Sequence, residues 1–298
     1  MDNFQGIIKV YLLCGQSVVL KKRCTPVIVY IKGVTNMNFD EEIKLKQSRE
    51  YKIIKKNDII QNVTKRKYEL SMMEQKILGY IISMIKPMEI TQKQPIYSYE
   101  FDILNFCQIC GIDFKSGRNY ENVRNGLKKL ADNSFWIQDG DDELLFQWIT
   151  TPRIRKKDGT IVVKISDDVM PYLCELQNNF TEYELYQILA LKHSYSIGLY
   201  ELMKSYAYRK NIVITIEEIK KYFSIENKYT EYKNFRRKII EPAIEEINEY
   251  TDLNVQWQPL RKGRNYYAIG FTINIKAQNQ KNNAYIKVIN ALDGDTDK

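Results

Sequence analysis

Histidine is almost missing from this sequence, and the shortage excludes a large class of chemistry. The 298 residues contain one histidine, His193. Proteins that nick DNA with a tyrosine hold their metal ion with a cluster of histidines, which a single residue cannot supply. We therefore predict no catalytic residue, no nucleophilic role for any of the 22 tyrosines, and a structural role for His193.

Cysteine is scarce and odd in number, which argues against a disulfide scaffold. The five cysteines lie at positions 14, 24, 107, 110 and 174. Cys107 and Cys110 have the spacing of half a zinc site, but no second pair of ligands follows at a suitable distance. We predict that both are small apolar core residues, that the protein holds no metal or other cofactor, and that it works in the reducing cytoplasm.

Two further absences concern nucleotides and membranes. No G-x-x-x-x-G-K-S/T phosphate loop occurs, so ATP-driven unwinding by this chain is not expected. The apolar runs at residues 7–14 and 27–31 are much shorter than the about 20 residues that a membrane-spanning helix needs. We expect a cytoplasmic protein that binds a partner, that is not an enzyme and that does not contact a membrane.

Positive charge is what the sequence has in excess. Lysine and arginine outnumber aspartate and glutamate by 45 to 37, giving a net charge of +8 and a pI near 9.0. This balance favours a polyanionic partner, nucleic acid before a membrane surface. The 44% of hydrophobic residues suffices for real cores, and the length predicts about two domains.

The first half of the chain shows a clear order of helices and strands. Ser71-Met-Met-Glu74 has the spacing of a capping box, and the helix that it opens must end before Pro87. An extended piece then leads to Asp102, a candidate N-cap of a short helix. The other predicted elements are strands at 95–101, 134–138, 144–151 and 160–166, a turn at 139–143 and a third helix at about 120–131.

The second half repeats this order. Thr181-Glu-Tyr-Glu184 and Thr215-Ile-Glu-Glu218 again have capping-box spacing and predict helix starts. A long helix at about 231–250 precedes a hairpin whose turn is Arg261-Lys-Gly-Arg264. The other predicted elements are a helix continuing over 194–208 and strands at 212–214, 253–259 and 266–275. Helix, strand, short helix, basic helix and hairpin, in this order, are typical of a winged helix.

The repeated pattern predicts an α+β protein with two tandem winged-helix domains, rich in helices and with β-hairpin wings. The predicted organisation is an uncertain segment at 1–54 with weak β alternation, a first domain at 55–166, a second at 167–276 and a mobile polar tail at 277–298. Translation could also begin at Met37.

The helix at 231–250 carries the strongest candidate for DNA recognition. Phe235, Ile239, Ala243 and Ile247 recur every four residues and must face the core. The outer face near the N-terminal end then presents Tyr232, Lys233, Arg236, Arg237 and, at its flank, Lys238. Arginine can bind guanine through two hydrogen bonds. The wing, which normally contacts phosphates, offers Arg261, Lys262 and Arg264. The alternative is an ordinary solvated basic face.

The third helix of the first half is a weaker candidate for the same role. It mixes amides that can read bases with cations that can bind phosphates: Arg118, Asn119, Asn122, Arg124, Asn125 and Lys128. The acidic turn at 139–143 would repel DNA if that hairpin lay against the backbone. The basic residues that could compensate from the next turn are Arg153, Arg155, Lys156 and Lys157. A solvated polar face is again the alternative.

Three segments resemble a known family, the two-domain replication initiators of iteron-bearing, theta-replicating plasmids. They are residues 62–78, with Leu70-Ser-Met-Met-Glu-Gln75 at a helix start, residues 191–205, and residues 232–253, with Pro242-Ala243 and Glu246-Ile-Asn248. The resemblance covers about residues 55–275, and the last segment is its most specific part.

This resemblance implies a function in plasmid replication. The protein would bind direct repeats in double-stranded origin DNA, help to melt an adjacent A/T-rich segment, and recruit the host replicative helicase and host initiator. It would exist as monomer and homodimer, dimerise through the first domain and repress its own promoter. Lys233, Arg236 and Arg237 match the family's DNA-contacting helix. A transcriptional regulator with two winged helices shares every DNA-binding feature and is the alternative.

Overall fold

The computed structural model describes residues 51–61, 70–85, 98–110, 112, 117–139, 141–174 and 179–294. All of these residues belong to one compact unit. The β alternation predicted in the first 50 residues and the alternative start at Met37 lie outside the described residues. None of the helices in the described ranges is both long and apolar enough to cross a membrane.

The first half begins with a strand and a short helix that precede the predicted winged helix. The elements are β1 (Lys52–Lys56), α1 (Asn57–Gln61), α2 (Met72–Ser83), β2 (Ser98–Asp102), α3 (Ile103–Ile109), α4 (Gly117–Asp132), β3 (Ser134–Asp139), β4 (Asp142–Gln147), β5 (Ile149–Arg155), β6 (Thr160–Ile165) and α5 (Met170–Cys174). The predicted boundary between residues 54 and 55 falls inside β1.

The second half has the same order of helices and strands, except that nothing in its described part corresponds to β3 and β4. Its elements are β7 (Phe180–Glu184), α6 (Tyr186–Leu189), α7 (Ser194–Ser205), a 3-10 turn (Ala207–Arg209), β8 (Asn211–Thr215), α8 (Ile216–Tyr222), α9 (Tyr232–Phe235), a π-helical turn (Arg236–Ile240), α10 (Glu241–Tyr250), β9 (Leu253–Lys262), β10 (Asn265–Ile275) and α11 (Gln278–Gly294). We call the continuous run from Tyr232 to Tyr250 the basic helix.

Two three-stranded antiparallel sheets confirm the two winged helices. The first has the strand order β2-β6-β5 and the second β8-β10-β9. In both, the strand that precedes the short helix pairs with the last strand of the terminal hairpin. The predicted α+β fold with tandem winged helices is therefore correct.

The wing of the first domain differs from the predicted one. The hairpin of β3 and β4 is a separate two-stranded sheet, with Asp139 opposite Asp142. The strand predicted at 144–151 is divided between β4 and β5, and β5 pairs with β6. The wing that corresponds to β9–β10 is thus β5–β6, and the acidic hairpin is an addition to the winged helix.

Three of the predicted helix caps are present. The Ser71 hydroxyl accepts a hydrogen bond from the Glu74 amide while the Glu74 carboxylate accepts one from the Ser71 amide. Thr215 and Glu218 make the same reciprocal pair. The Asp102 carboxylate accepts from the Asn105 amide at 2.8 Å. These side chains satisfy amides that the first helical turn leaves without partners.

The helix predicted to start at Thr181 is wrong. Residues Phe180–Glu184 form β7, which pairs antiparallel with β1. The Thr181 hydroxyl donates to the side-chain oxygen of Asn57 at 2.6 Å and caps no helix. Since Thr181 and Tyr183 are buried and Glu182 is exposed, the segment has the two-residue period of a strand.

The segment predicted to be a mobile polar tail is mostly a packed helix. In α11 the buried residues are Ala284, Tyr285, Val288 and Ile289, which recur at helical spacing. The Tyr285 ring meets Tyr186 of α6 edge to face, with centroids 4.3 Å apart. Apolar burial against α6 therefore holds this segment in place.

One continuous core connects the two halves. Side chains from both winged helices belong to a single buried cluster. A buried ion pair also crosses between them, because Lys55 of β1 lies 2.5 Å from Glu201 of α7 and both side chains are 5% exposed. The predicted boundary at residues 166 and 167 remains a prediction.

Candidate nucleic-acid interface

The inner face of the basic helix is buried as predicted. Phe235, Ile239, Ala243 and Ile247 are at most 1% exposed. Ile240 and Ile244 beside them are buried as well. This stripe fixes the rotation of the helix on the second sheet, so the opposite side of the helix faces outward.

A π-helical turn widens the basic helix in its middle. Pro242 lies at the start of α10, where it has no amide hydrogen to donate and its ring would clash with the carbonyl four residues earlier. The five residues before Glu241 accommodate this by forming wider turns. Residues five apart share a face in such a turn, and the Arg236 Nε accordingly donates to the Glu241 carboxylate at 2.7 Å. This bond raises the pKa of Arg236.

The outer face presents the predicted cations, but in different settings. Lys233, Arg236, Arg237 and Lys238 are all exposed. Arg236 is tied to Glu241, and the Lys238 ammonium lies 5.9 Å from the centre of the Tyr229 ring. Arg237 makes no ion pair within the described part of the chain. Lys233 and Arg237 are thus the cations most available to a ligand of this helix.

Tyr232 packs against the wing and not on the predicted outer face. Its ring is half-buried and stacks on Tyr266 of β10, with centroids 4.1 Å apart and planes inclined by 24°. Burial raises the pKa of Tyr232. Its hydroxyl is buried without a hydrogen-bond partner among the described residues. The side chain points toward the wing and not, as the sequence predicts, onto the outer face.

The second wing is longer and tighter than predicted. Lys262 pairs with Asn265, so Gly263 and Arg264 alone form the turn. Gly263 has a φ of +62°, a left-handed conformation that glycine adopts without strain. Arg261, Lys262 and Arg264 are exposed, which gives the wing three cations beside the basic helix.

The third helix of the first half, α4, has the predicted inner face. Val123, Leu127 and Leu130 are buried. Gly126 allows close contact with α2, because a Cβ there would lie 2.6 Å from the Ile77 side chain. The exposed face contains Arg118, Asn122, Arg124, Asn125 and Lys128; Asn119 lies in the helix, but its side chain is not described.

Two of these candidates are engaged in ion pairs along the helix. Arg124 lies 3.2 Å from Glu121, and Lys128 pairs with Asp132. Pairs of this kind on an exposed helix contribute little to stability, and an approaching phosphate can replace the carboxylate. The α4 surface is therefore less positive than its count of basic residues indicates.

The basic turn after β5 forms the tip of the first wing, a position that the sequence does not predict. Arg153, Arg155, Lys156 and Lys157 are exposed at or near the tip of β5–β6, the position that the second wing gives to its own cations. Arg155 lies 2.8 Å from Glu100 of β2. The sequence Lys157-Asp-Gly159 predicts a turn. It does not predict that β5 pairs with β6, which makes this turn a wing tip.

The described residues hold no group of histidine, cysteine, aspartate and glutamate side chains that could bind a metal ion. Cys107 and Cys110 are free and buried, and burial raises the pKa of Cys107 to about 12. His193 lies 2.8 Å from Glu246 through its Nδ1 atom. The same carboxylate accepts from the amides of Lys192 and His193. This arrangement fastens the start of α7 to α10.

Comparison with known proteins gives consistent similarities. The chain is 23% identical over 200 residues to a replication initiation protein of Escherichia coli, covering 63% of this chain and 60% of that one. It is 25% identical over 147 residues to the PI protein of Escherichia coli, covering 43% and 47%. The chain thus spans about half to three fifths of the length of these two relatives.

The fold is similar to that of a solved initiator. The crystal structure of Pi initiator protein in complex with iteron DNA superposes with a TM-score of 0.65 at 19% sequence identity, covering 77% of this chain and 99% of that chain. Family profiles described as the first and second winged-helix domains of initiator replication proteins match residues 52–204 and 215–273. The chain belongs to the winged-helix initiator replication protein family.

Proposed function

We propose that this protein is a plasmid replication initiator that binds repeated sequences in double-stranded origin DNA. The observation that carries the proposal is the joint presentation of Lys233 and Arg237 on the basic helix and of three cations on the adjacent wing. A helix of this kind fits the major groove, where arginine distinguishes guanine through its O6 and N7 atoms. The solved relative is a complex with iteron DNA, which supports repeated sites as the ligand.

The first winged helix contacts a second stretch of the same DNA in this proposal. Its α4 face supplies Arg118, Asn122 and Asn125, and the β5–β6 wing supplies phosphate contacts through Lys156 and Lys157. Two winged helices that share one continuous core can bind successive grooves of one site.

The later steps rest on the resemblance to plasmid initiators. We propose that the bound protein promotes opening of the origin, recruits the host replicative helicase and host initiator, and represses its own promoter as a dimer. A transcriptional regulator without a replication role would show the same DNA binding.

Two experiments test this function. Footprinting of the pure protein on the DNA that flanks its gene should protect a set of repeats. A plasmid that contains the gene and these repeats should then stop replicating when the gene is deleted and resume when the protein is supplied in trans. Continued replication after deletion would favour the regulator. Release of relaxed circles from supercoiled origin DNA incubated with metal would instead indicate a nicking enzyme.

The wing should contribute affinity without sequence preference. Lys262→Ala removes an exposed cation that we place on a phosphate, so binding should weaken about equally for repeat DNA and for a scrambled duplex of the same length. The slope of log K against log salt concentration is negative, and its magnitude should decrease by about 1. Titrations at several salt concentrations measure both quantities. A loss confined to repeat DNA would place Lys262 on a base.

Self-association is proposed to use the β3–β4 hairpin. Trp136 and Leu145 lie opposite each other on its outer face and are 46% and 51% exposed. The acidic turn beyond them repels DNA and leaves this surface to protein. Trp136→Lys should shift the protein toward the monomer in sedimentation velocity, because a charge at an apolar interface is not solvated. An unchanged monomer fraction would contradict this location.

A further inference from the structure

The basic helix and the wing of the second domain are joined by an aromatic contact. Tyr232 is the first residue of α9, and Tyr266 is the second residue of β10, after the wing turn. Their rings stack with centroids 4.1 Å apart. The two elements that present the cations of the second domain therefore meet at the end that faces the proposed DNA.

The same ring also holds an arginine of the wing. Arg261 on β9 is the register partner of Tyr266. Its guanidinium carbon lies 4.3 Å from the centre of the Tyr266 ring, and its Nη2 atom donates to the Tyr266 hydroxyl. We call Tyr232, Tyr266 and Arg261 the aromatic clasp. Its members come from three elements, and Tyr266 contacts both of the others.

The strand carrying the clasp is irregular at this point. The register of β9 and β10 shifts between Tyr266 and Ala268, which leaves Tyr267 as an extra residue that is 45% exposed. Such bulges bend a strand and redirect its side chains. The local geometry is thus adapted to the contact between Tyr266 and the helix.

We propose that Tyr266 and Tyr232 are positioning residues, which hold the Arg261 guanidinium and the wing in a fixed relation to the basic helix. This proposal rests on the proposed function. An exposed arginine loses side-chain entropy when it binds a phosphate, and a guanidinium already held on an aromatic ring loses less. Tyr232 then acts through the wing and not on a base, as indicated by its buried hydroxyl, for which the described part of the chain offers no hydrogen-bond partner.

The clasp predicts an effect on salt dependence that a merely structural role would not produce. Tyr266→Leu removes the ring but no charge. If the ring positions Arg261, this variant should lower the slope of log K against log salt by about 1, as Arg261→Ala does, because one phosphate contact is lost. The double variant should bind no more weakly than Arg261→Ala alone. The proposal would be overturned if the losses of binding free energy in the two single variants added up in the double variant. An unchanged slope for Tyr266→Leu would overturn it as well.

Two substitutions of Tyr232 distinguish the contribution of its ring to DNA binding from that of its hydroxyl. Tyr232→Leu should weaken binding to the footprinted repeat about tenfold. The conservative variant Tyr232→Phe should bind as wild type does, because the hydroxyl has no hydrogen-bond partner in the described ranges. If Tyr232→Phe binds as weakly as Tyr232→Leu, the hydroxyl contacts DNA and the proposal fails. The matched control is Tyr208→Leu, an exposed tyrosine in the 3-10 turn before β8 and outside the clasp, which should leave binding unchanged.

A measurement without DNA distinguishes failure of the clasp from failure of the proposed function. In the full-length free protein, Tyr266→Leu should accelerate amide hydrogen exchange in the wing peptide around residues 260–267, whereas Tyr208→Leu should not. Unchanged exchange overturns the clasp. A wild-type protein that binds repeat and scrambled DNA equally overturns the proposed function and leaves the exchange result standing.

Discussion

Arg237→Ala is expected to weaken binding to repeat DNA by about 1 to 3 kcal/mol, with a much smaller loss on a scrambled duplex. Arg237 is exposed on the outer face of the basic helix, and its guanidinium is not committed to another described side chain. A base contact of this residue would be lost for the cognate sequence alone. Competition titrations with the two duplexes measure the difference.

Arg237→Lys is the sharper companion to this experiment. Lysine keeps the charge but not the planar fork that binds guanine through two bonds. The lysine variant should therefore retain the salt dependence of the wild type while losing most of its preference for the repeat. Lys287→Ala is the matched control, because Lys287 is exposed on α11 and pairs with Glu249 near the far end of the basic helix. If Arg237→Ala and Lys287→Ala bind alike, the recognition surface lies elsewhere.

Arg236 should behave differently from its neighbour. The π-helical turn aligns it with Glu241, so Arg236→Ala removes a cation and also leaves a carboxylate without its partner. The loss should then be similar for repeat and scrambled DNA, because an unpaired carboxylate repels any phosphate backbone. The sequence treats the two arginines as equivalent, since a regular helix would not bring Glu241 beside Arg236.

Most signals contained within one element can be interpreted correctly from the sequence. The buried stripe of the basic helix, the caps at Ser71 and Thr215 and the turn at Gly263 each depend on residues a few positions apart. The resemblance to plasmid initiators adds the family and suggests the proposed DNA-contacting residues. The α11 helix was also readable, because Tyr285, Val288 and Ile289 have helical spacing, but its polar composition outweighed that pattern.

Signals that depend on a distant partner were misread. Thr181 has the same capping-box spacing as Ser71, yet β1 pairs with its segment and makes it a strand. The acidic hairpin has the strongest turn sequence of the first half, but the pairing of β6 with β2 decides which hairpin is the wing. Likewise, the position of Tyr232 in the sequence is that of a base-reading residue. In the structure its ring stacks instead on Tyr266, a residue of another element.

The buried ion pair between the two halves should have the largest effect on stability. Lys55→Met or Glu201→Leu alone is expected to lower the free energy of unfolding by about 3 to 5 kcal/mol, because each leaves an unpaired charge in the core. Glu201 also accepts a hydrogen bond from the buried Tyr183 hydroxyl. Burial, together with the negative charge of Glu201, raises the pKa of that tyrosine. Urea denaturation followed by circular dichroism measures the loss.

The same sheet offers a matched control for this pair. Lys52 and Glu182 are 2.6 Å apart on β1 and β7, with side chains 56% and 40% exposed. Lys52→Met should cost less than about 1 kcal/mol, since water already solvates both groups. The double variant Lys55→Met/Glu201→Leu should recover much of the stability lost by either single variant, because two apolar side chains replace two charges. The prediction is contradicted if Lys52→Met and Lys55→Met lower the free energy of unfolding equally. It is also contradicted if the double variant loses the sum of the two single losses. Either result would show that the Lys55–Glu201 pair does not join the halves.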